Sequence, residues 1–214
     1  FISWRNKGNT KQSQRFLIKR GIWLILLEFT VVNFGMFFDI GFHTLIFEVI
    51  ATIGFGFIIL GLLLPCHIKT IAIIGLIILF GHDMFSFLTV SGKSVDTLLN
   101  IFFGLKAFPI NQHFTFVMAY PPIPWLGIML IGFATGRLFE LPAAKKNFLF
   151  VIIGIAALML FTGLRLLNIY GDPIPWSFQK SGMFTFLSFM NVSKYPPSLV
   201  FCLVTLGIMF LIFV

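Results

Sequence analysis

The 214 residues are 58% hydrophobic, only 10% of them are charged, and the formal net charge is +8 at pH 7. A soluble domain averages about 25% charged residues, so this composition excludes a soluble globular protein and indicates an integral membrane protein. The basic residues lie in loops between apolar stretches, which excludes a nucleic-acid-binding surface. Neither Cys66 and Cys202 nor any set of His and acidic residues has metal-ligand spacing, so no metal site is predicted.

Six apolar stretches long enough to cross a membrane follow one another along the chain. Backbone polar groups in hydrocarbon must be satisfied within the segment, and barrel strands have only about ten residues, so these stretches are predicted to be helices. We therefore predict an all-α, polytopic transmembrane helix bundle. Residues 1–214 form one integral-membrane domain in this prediction, an internal piece of a longer protein. The predicted spans are residues 21–38, 44–64, 68–80, 121–137, 147–164 and 197–214.

The distribution of Lys and Arg predicts the orientation of the bundle. Segments 1–20, 65–69 and 135–147 together hold ten of these residues, whereas the much longer loops on the opposite side hold five. The positive-inside rule then places residues 1–20 in the cytoplasm and the long loops 81–121 and 165–196 outside it, in a cytoplasmic (inner) membrane. An apolar piece at 97–107, too short to span, is predicted to lie in the interface or to re-enter the membrane.

The loop that begins at Arg165 is unusually long and polar for a connection between two spans. Over about thirty residues it contains Arg, Asn, Asp, Lys, Tyr, Trp and four prolines, and long connections of this kind are usually functional or disordered. Its aromatic residues and prolines argue against disorder. We predict that this loop forms one wall of a polar site at the membrane surface.

Ionisable side chains collect near the predicted outer ends of the spans. Such groups are costly in a membrane and usually face a water-filled cavity or one another. We therefore predict an outward-open polar pocket. A Glu48–Arg165 ion pair that only fixes helix packing is an alternative, and Glu28 is predicted to be protonated and hydrogen-bonded to a neighbouring helix. The predicted rim residues are Glu48, His82, Asp83, Arg165 and Lys194.

Of the histidines, His82 has the most suggestive neighbour, because a carboxylate such as Asp83 can orient an imidazole. Adjacent helical residues point about 100° apart, so the orienting partner of His82 is predicted to lie on another helix. His43, His67 and His113 fall in loops or at span ends and are predicted to have surface roles.

Five stretches taken in chain order carry a family resemblance: 19–35, 80–83, 120–129, 168–177 and 188–199. They resemble helices and loops of the bacterial multi-pass proteins related to heparan-alpha-glucosaminide N-acetyltransferase. The resemblance implies a transmembrane enzyme that takes acetyl-CoA from the cytoplasmic side and acetylates an amino sugar on the far side. It also implies a catalytic histidine upstream of the position matching Phe1. The catalytic residue is therefore unassigned here, with His82 and Asp83 as the candidates within the chain.

The leading hypothesis is a membrane acyltransferase that moves an acetyl or other acyl group from cytoplasmic acyl-CoA to an extracytoplasmic amino sugar or related saccharide. Basic and amide groups would position the sugar or stabilise an oxyanion, and Arg137 would meet the phosphates of CoA. A transporter or flippase that uses the same pocket is the rival, and a non-catalytic scaffold is a third possibility. The expected partners are the lipid bilayer and a saccharide, not nucleic acid, and a homo-oligomer stays open. The predicted substrate-binding residues are Glu48, Arg165, Asn168, Asp172, Asn191, Lys194 and Tyr195.

Overall fold

The computed structural model describes residues 9–87 and 93–214, which are mostly helical. The described residues belong to two compact units. The first takes them from Phe1–Ile78 and Thr89–Ala134, and the second from Leu79–Leu88 and Thr135–Val214. The prediction of a single membrane domain is neither supported nor contradicted by this division.

The first unit begins with a long helical segment and ends with an apolar helix that a proline-rich stretch opens. Asn9 caps the first helix, since its side chain accepts a hydrogen bond from the backbone N–H of Gln12 at 3.1 Å. A π-helical turn, Glu28–Val32, continues that helix into the next one. The helices that begin in this unit are α1 (Thr10–Leu27), α2 (Asn33–Phe37), α3 (Val49–Leu63), α4 (Ile68–Gly81), α5 (Lys93–Phe103) and α6 (Pro122–Thr135); the last residues of α4 and α6 belong to the second unit.

Helices α1 and α3 approach each other closely through glycine. A Cβ atom placed on Gly21 would lie 2.4 Å from the carbonyl oxygen of Gly54, and one on Gly54 would lie 2.6 Å from that of Gly21. Only residues without side chains permit this separation, as at the helix contacts of membrane proteins. The core beneath the contact is built from aliphatic side chains: Leu17, Leu60, Ile71, Leu126 and Leu130.

The first unit also contains a small sheet, which the all-α prediction did not include. The strands β1 (Thr44–Phe47), β2 (Lys106–Asn111) and β3 (Phe114–Met118) are arranged in the order β1-β3-β2. Strand β1 pairs in parallel with β3, with Thr44 opposite Thr115, and β2 pairs antiparallel with β3. Strand β1 lies at the start of the second predicted span, and the first two residues of β2 end the apolar piece 97–107, so short apolar runs that suit a strand or a helix were read as helical.

The second unit packs its two longest helices through glycine and phenylalanine. Its helices are α7 (Ala143–Leu167), α8 (Gly182–Met190) and α9 (Leu199–Ile212), with 3₁₀ turns at His82–Phe87 and Gly136–Glu140. A Cβ atom on Gly154 of α7 would meet the carbonyl oxygen of Gly207 of α9 at 2.9 Å. Nearby, the fully buried ring of Phe150 lies 5.5 Å from that of Phe210.

Three of the six predicted spans are matched by helical segments that are long and apolar enough to cross a membrane. These three, among the described residues, are Ile68–Phe85, Pro122–Glu140 and Ala143–Leu167. The helices α3 and α9 are apolar but shorter, so the arrangement of six spans is not confirmed. The second predicted span is shortened because its first residues form strand β1.

Candidate functional site

The guanidinium group of Arg165 lies buried in the second unit, with 2% of the residue exposed. It projects from the last turn of α7 and donates from every nitrogen: from Nε at 2.8 Å and from both terminal nitrogens. Its main-chain acceptors are the carbonyl oxygens of Ile174, Ser188, Phe189 and Asn191. With a carboxylate contact added, every N–H of the group has a partner within the protein. A substrate would have to displace one of these partners to bind Arg165.

The carboxylate contact is made by Asp172, whose Oδ2 lies 3.5 Å from Nη1 of Arg165. The Asp172 side chain is 3% exposed and also accepts hydrogen bonds from the backbone of Ile174 and from both the N–H and the hydroxyl of Ser193. Burial of a charged pair is stabilising only when such additional hydrogen bonds satisfy its remaining atoms. Arg165 and Asp172 therefore tie the loop that follows α7 to the segment that precedes α9.

His82 and Asp83 hold the start of helix α9 rather than lining an open rim. Oδ2 of Asp83 accepts a hydrogen bond from the backbone N–H of Leu199 at 2.8 Å, which places a carboxylate at the positive end of that helix. Both ring nitrogens of His82 lie within hydrogen-bond distance of carbonyl oxygens, those of Leu79 (2.9 Å) and Pro197 (2.7 Å). Both residues are 5% exposed, so the prediction that they face an open pocket is wrong.

The predicted separation of His82 from Asp83 is also corrected. Nε2 of His82 lies 3.3 Å from Oδ1 of Asp83, in the 3₁₀ turn that follows α4, so the two neighbouring side chains do meet. Nearby, the Tyr170 hydroxyl donates to the carbonyl oxygen of Phe80. Burial, and secondly the Asp83 carboxylate, raise the pKa of Tyr170.

Four of the predicted substrate-binding residues lie at the surface of the second unit: Asn168, Asn191, Lys194 and Tyr195. Nζ of Lys194 lies 4.9 Å from the centre of the Tyr195 ring, a cation–π distance. Asn168 adopts a left-handed conformation at the end of α7, and its side chain pairs in both directions with the backbone of Trp176. The buried side chains of Arg165 and Asp172 hold the backbone of this loop in place, whereas Asn191 and Lys194 on the same loop are exposed.

Glu48 and Glu28 belong to the first unit. Glu48 precedes α3 and is half-buried, and no side-chain hydrogen bond caps the helix there. Glu28 is 1% exposed, and its Oε2 accepts the backbone N–H of Ala51 at 2.9 Å, in the first turn of the same helix. The predicted hydrogen bond between Glu28 and a neighbouring helix is therefore present, and the carboxyl oxygen of Glu28 accepts it. Asn33 similarly exchanges hydrogen bonds with the backbone of Ile46.

The basic residue predicted to meet CoA, Arg137, is exposed in the 3₁₀ turn between α6 and α7. Within residues 9–87 and 93–214, no group of three or more His, Cys, Asp and Glu side chains is placed to hold a metal ion.

Several polar contacts were not predicted from the sequence. Ser198 caps α9 by accepting the backbone N–H of Phe201 at 3.2 Å, and a serine after two prolines before an apolar run is a recognisable helix start. The pairing of His43 with Asp39 was also missed: Nδ1 of His43 lies 3.0 Å from the carboxylate. An aspartate opening a Gly-containing turn was the available signal for it.

One of three comparisons with known proteins finds a match. A family model described as "Heparan-alpha-glucosaminide N-acetyltransferase, catalytic" matches residues 2–171, which include His82, Asp83 and Arg165. Asp172, Asn191 and Lys194 lie beyond the matched region. No curated protein and no solved structure matches the chain. The match covers well over half of the 214 residues, and the chain therefore belongs to the family of the heparan-alpha-glucosaminide N-acetyltransferase catalytic domain.

Proposed function

We propose that the protein is a membrane acyltransferase that moves an acetyl group from cytoplasmic acetyl-CoA to an extracytoplasmic amino sugar or related saccharide. The family match over residues 2–171 carries this proposal. A membrane enzyme of this kind must receive the acyl group on one side and release the product on the other. The proposed orientation, with residues 1–20 in the cytoplasm and loops 81–121 and 165–196 outside, would provide one surface for each.

The residues divide into two groups by their accessibility. Asn168, Asn191, Lys194 and Tyr195 are exposed and are proposed to contact the acceptor. The Lys194 ammonium group would stabilise negative charge that develops on the acyl oxygen, as hydrogen-bond donors do in acyl-transfer sites. The catalytic histidine is proposed to lie upstream of Phe1, as the family resemblance implies.

The buried residues are proposed to position this surface. Arg165 and Asp172 hold the backbone on which Asn191 and Lys194 lie, and the partners that saturate their polar atoms leave no donor for a sugar. His82 and Asp83 would have the same positioning role, through the first turn of α9. Arg137 remains a proposed contact for the CoA phosphates, and Glu48 a proposed contact for the acceptor.

The test supplies labelled acetyl-CoA to membranes that contain the full-length protein, together with a panel of amino sugars. Acetylated product is expected, and Lys194→Ala should lower kcat by about 10²-fold, the usual loss when one oxyanion donor is removed. Lys180→Ala is the matched control, because Lys180 is an exposed lysine of the same loop. Its activity should stay at the wild-type level.

Two results would contradict the proposal. The first is the absence of acetylated sugar from wild-type membranes with every acceptor. The second is uptake of an amino sugar into sealed vesicles without any acyl donor, which would favour the transporter. If product formation is insensitive to Lys194→Ala, the protein is still an acetyltransferase, but Lys194 is not part of its active site.

A further inference from the structure

Helix α8 (Gly182–Met190) presents an apolar surface that no described part of the chain covers. The exposed fractions of its side chains are 69% for Met183, 61% for Phe184, 58% for Phe186 and 51% for Leu187. At about 1.5 Å per residue the helix is only about 14 Å long, too short to cross a bilayer of about 30 Å. It is therefore an apolar helix that belongs to a loop and not to the spanning bundle.

The inner face of α8 is fixed to its own loop by polar contacts. The Thr185 hydroxyl accepts the backbone N–H of Gln179 at 3.0 Å, and the Ser188 hydroxyl accepts that of Ser177 at 3.2 Å. The ring of Phe189 packs at 5.7 Å from that of Trp176. The polar side chains of the helix thus point inward, which is the reverse of a helix that faces water.

Side chains of the protein satisfy backbone groups at both ends of α8. At its start, the Ser181 side chain accepts the backbone N–H of Phe184. At its end, the buried Arg165 guanidinium takes the carbonyl oxygens of Ser188 and Phe189, which a helix terminus otherwise leaves to solvent. Internal satisfaction of backbone groups is what a helix end requires in a low-dielectric environment.

We propose that α8 lies in the interface of the bilayer, with its outer-face side chains among the upper acyl chains of the lipids. The end of α7, which precedes this loop, also exposes apolar side chains, and this supports lipid as the partner of α8. Leu166 and Leu167 are 64% and 66% exposed, on a helix long enough to span a membrane. Lys180, exposed just before α8, would meet lipid phosphate groups. An apolar face beside a basic residue is typical of interfacial helices, which insert about 5–10 Å into the headgroup and acyl boundary.

The test places an environment-sensitive nitrobenzoxadiazole label on Phe184→Cys or Phe186→Cys in the full-length protein, reconstituted into vesicles. Other reactive cysteines, including Cys66 and Cys202, are replaced beforehand. Blue-shifted emission is expected, with a large loss of intensity when the vesicles contain lipids brominated near the headgroup end of their chains. Both phenylalanine side chains are more than half exposed, so either replacement removes little buried surface, and the second position serves as a replicate of the first.

Lys180→Cys with the same label is the matched control, and its emission should lie at a longer wavelength than that of positions 184 and 186 and be quenched less by brominated lipid, because the headgroup region is more polar than the acyl chains. Water-like emission from positions 184 and 186 would overturn the proposal. Blue-shifted emission that brominated lipid does not quench would also overturn it, because another protein segment or a second copy would then cover the helix. The measurement uses no acyl donor, so its outcome is independent of the proposed enzymatic activity.

Discussion

Arg165 of helix α7 donates hydrogen bonds to carbonyl groups at the end of another helix, α8. Lys or Arg near the last turn of a helix commonly stabilises its carbonyl groups, and here the basic group comes from α7 while the carbonyls are those of α8. The Asp172 carboxylate balances the charge at 3.5 Å. A single buried side chain thereby fixes the course of residues 168–191.

Replacing Arg165 by Met should lower the free energy of unfolding by about 3–5 kcal/mol, because the buried Asp172 carboxylate loses its cation and several carbonyls lose their donor. Arg165→Lys should recover only part of the loss, since an ammonium group cannot reproduce the planar arrangement of donors. The melting temperature in detergent measures both. The double variant Arg165→Met with Asp172→Asn should be less destabilised than the two single effects added together. Strict additivity would show that the two residues do not act as a pair.

The Asp39 turn gives a residue-level prediction about pH. The backbone N–H of His43, which donates to Oδ2 at 2.7 Å, is the largest cause that lowers the pKa of Asp39. The folded pKa is below the unfolded value, so the stabilisation is present at neutral pH and is lost as pH falls through the folded pKa. The protection factors of the Gly41 and His43 amides, which correct for the intrinsic pH dependence of hydrogen exchange, should therefore fall on acidification. Asp39→Asn should remove this pH dependence. If the variant shows the same pH profile as the wild type, the Asp39 carboxylate is not its cause.

At the scale of elements, the contact between α1 and α3 depends on the absence of side chains. The Gly21→Ala change should cost about 1–3 kcal/mol, because the new methyl group would lie 2.4 Å from the Gly54 carbonyl oxygen and overpack the interface. Gly35→Ala is the matched control. Nothing lies within 4 Å of its added Cβ, and removing a helical glycine should stabilise by up to about 1 kcal/mol. Equal melting temperatures for the two variants would contradict the close approach.

The helices were predictable from apolar length, whereas the sheet was not. Strand β1 is four residues at the start of an apolar run, and the composition of that run predicts a continuous helix. What makes it a strand is pairing with β3, more than sixty residues later in the chain. A pairing between distant segments leaves no periodic signal in either of them. The contact of His82 with Asp83 was missed because helix spacing describes only the direction of each Cβ atom, whereas two side chains can still bend toward each other.

At the scale of the whole molecule, the sequence identified the polar residues of the candidate site but not their accessibility. Composition shows that a charge such as Arg165 must be compensated in a membrane. Whether the compensating groups are water, substrate or main-chain carbonyls depends on the path of the loop, which one sequence does not determine. The main chain supplies most of them here, so the accessible candidates are Asn168, Asn191, Lys194 and Tyr195.

The orientation of the molecule is a prediction at this scale. Lys145, in the first turn of α7, and Lys180, in the loop after that helix, are both exposed and should lie on opposite sides of the membrane. Cysteines placed at these positions in the full-length protein should react with a membrane-impermeant thiol reagent from opposite faces of sealed vesicles. Position 145 should react from the cytoplasmic face. Labelling of both from one face would contradict the proposed orientation.

The reciprocal contact of Gly21 and Gly54 also bears on how the chain assembles. Each backbone presents its Cα–H group to the opposing carbonyl oxygen, a weak attraction that lipid does not compete for. The two helices are near neighbours in the chain, joined only through a short helix, a turn and a strand. Their association therefore requires no segment that is synthesised later, and this pair can serve as the seed on which the remaining helices assemble during membrane insertion.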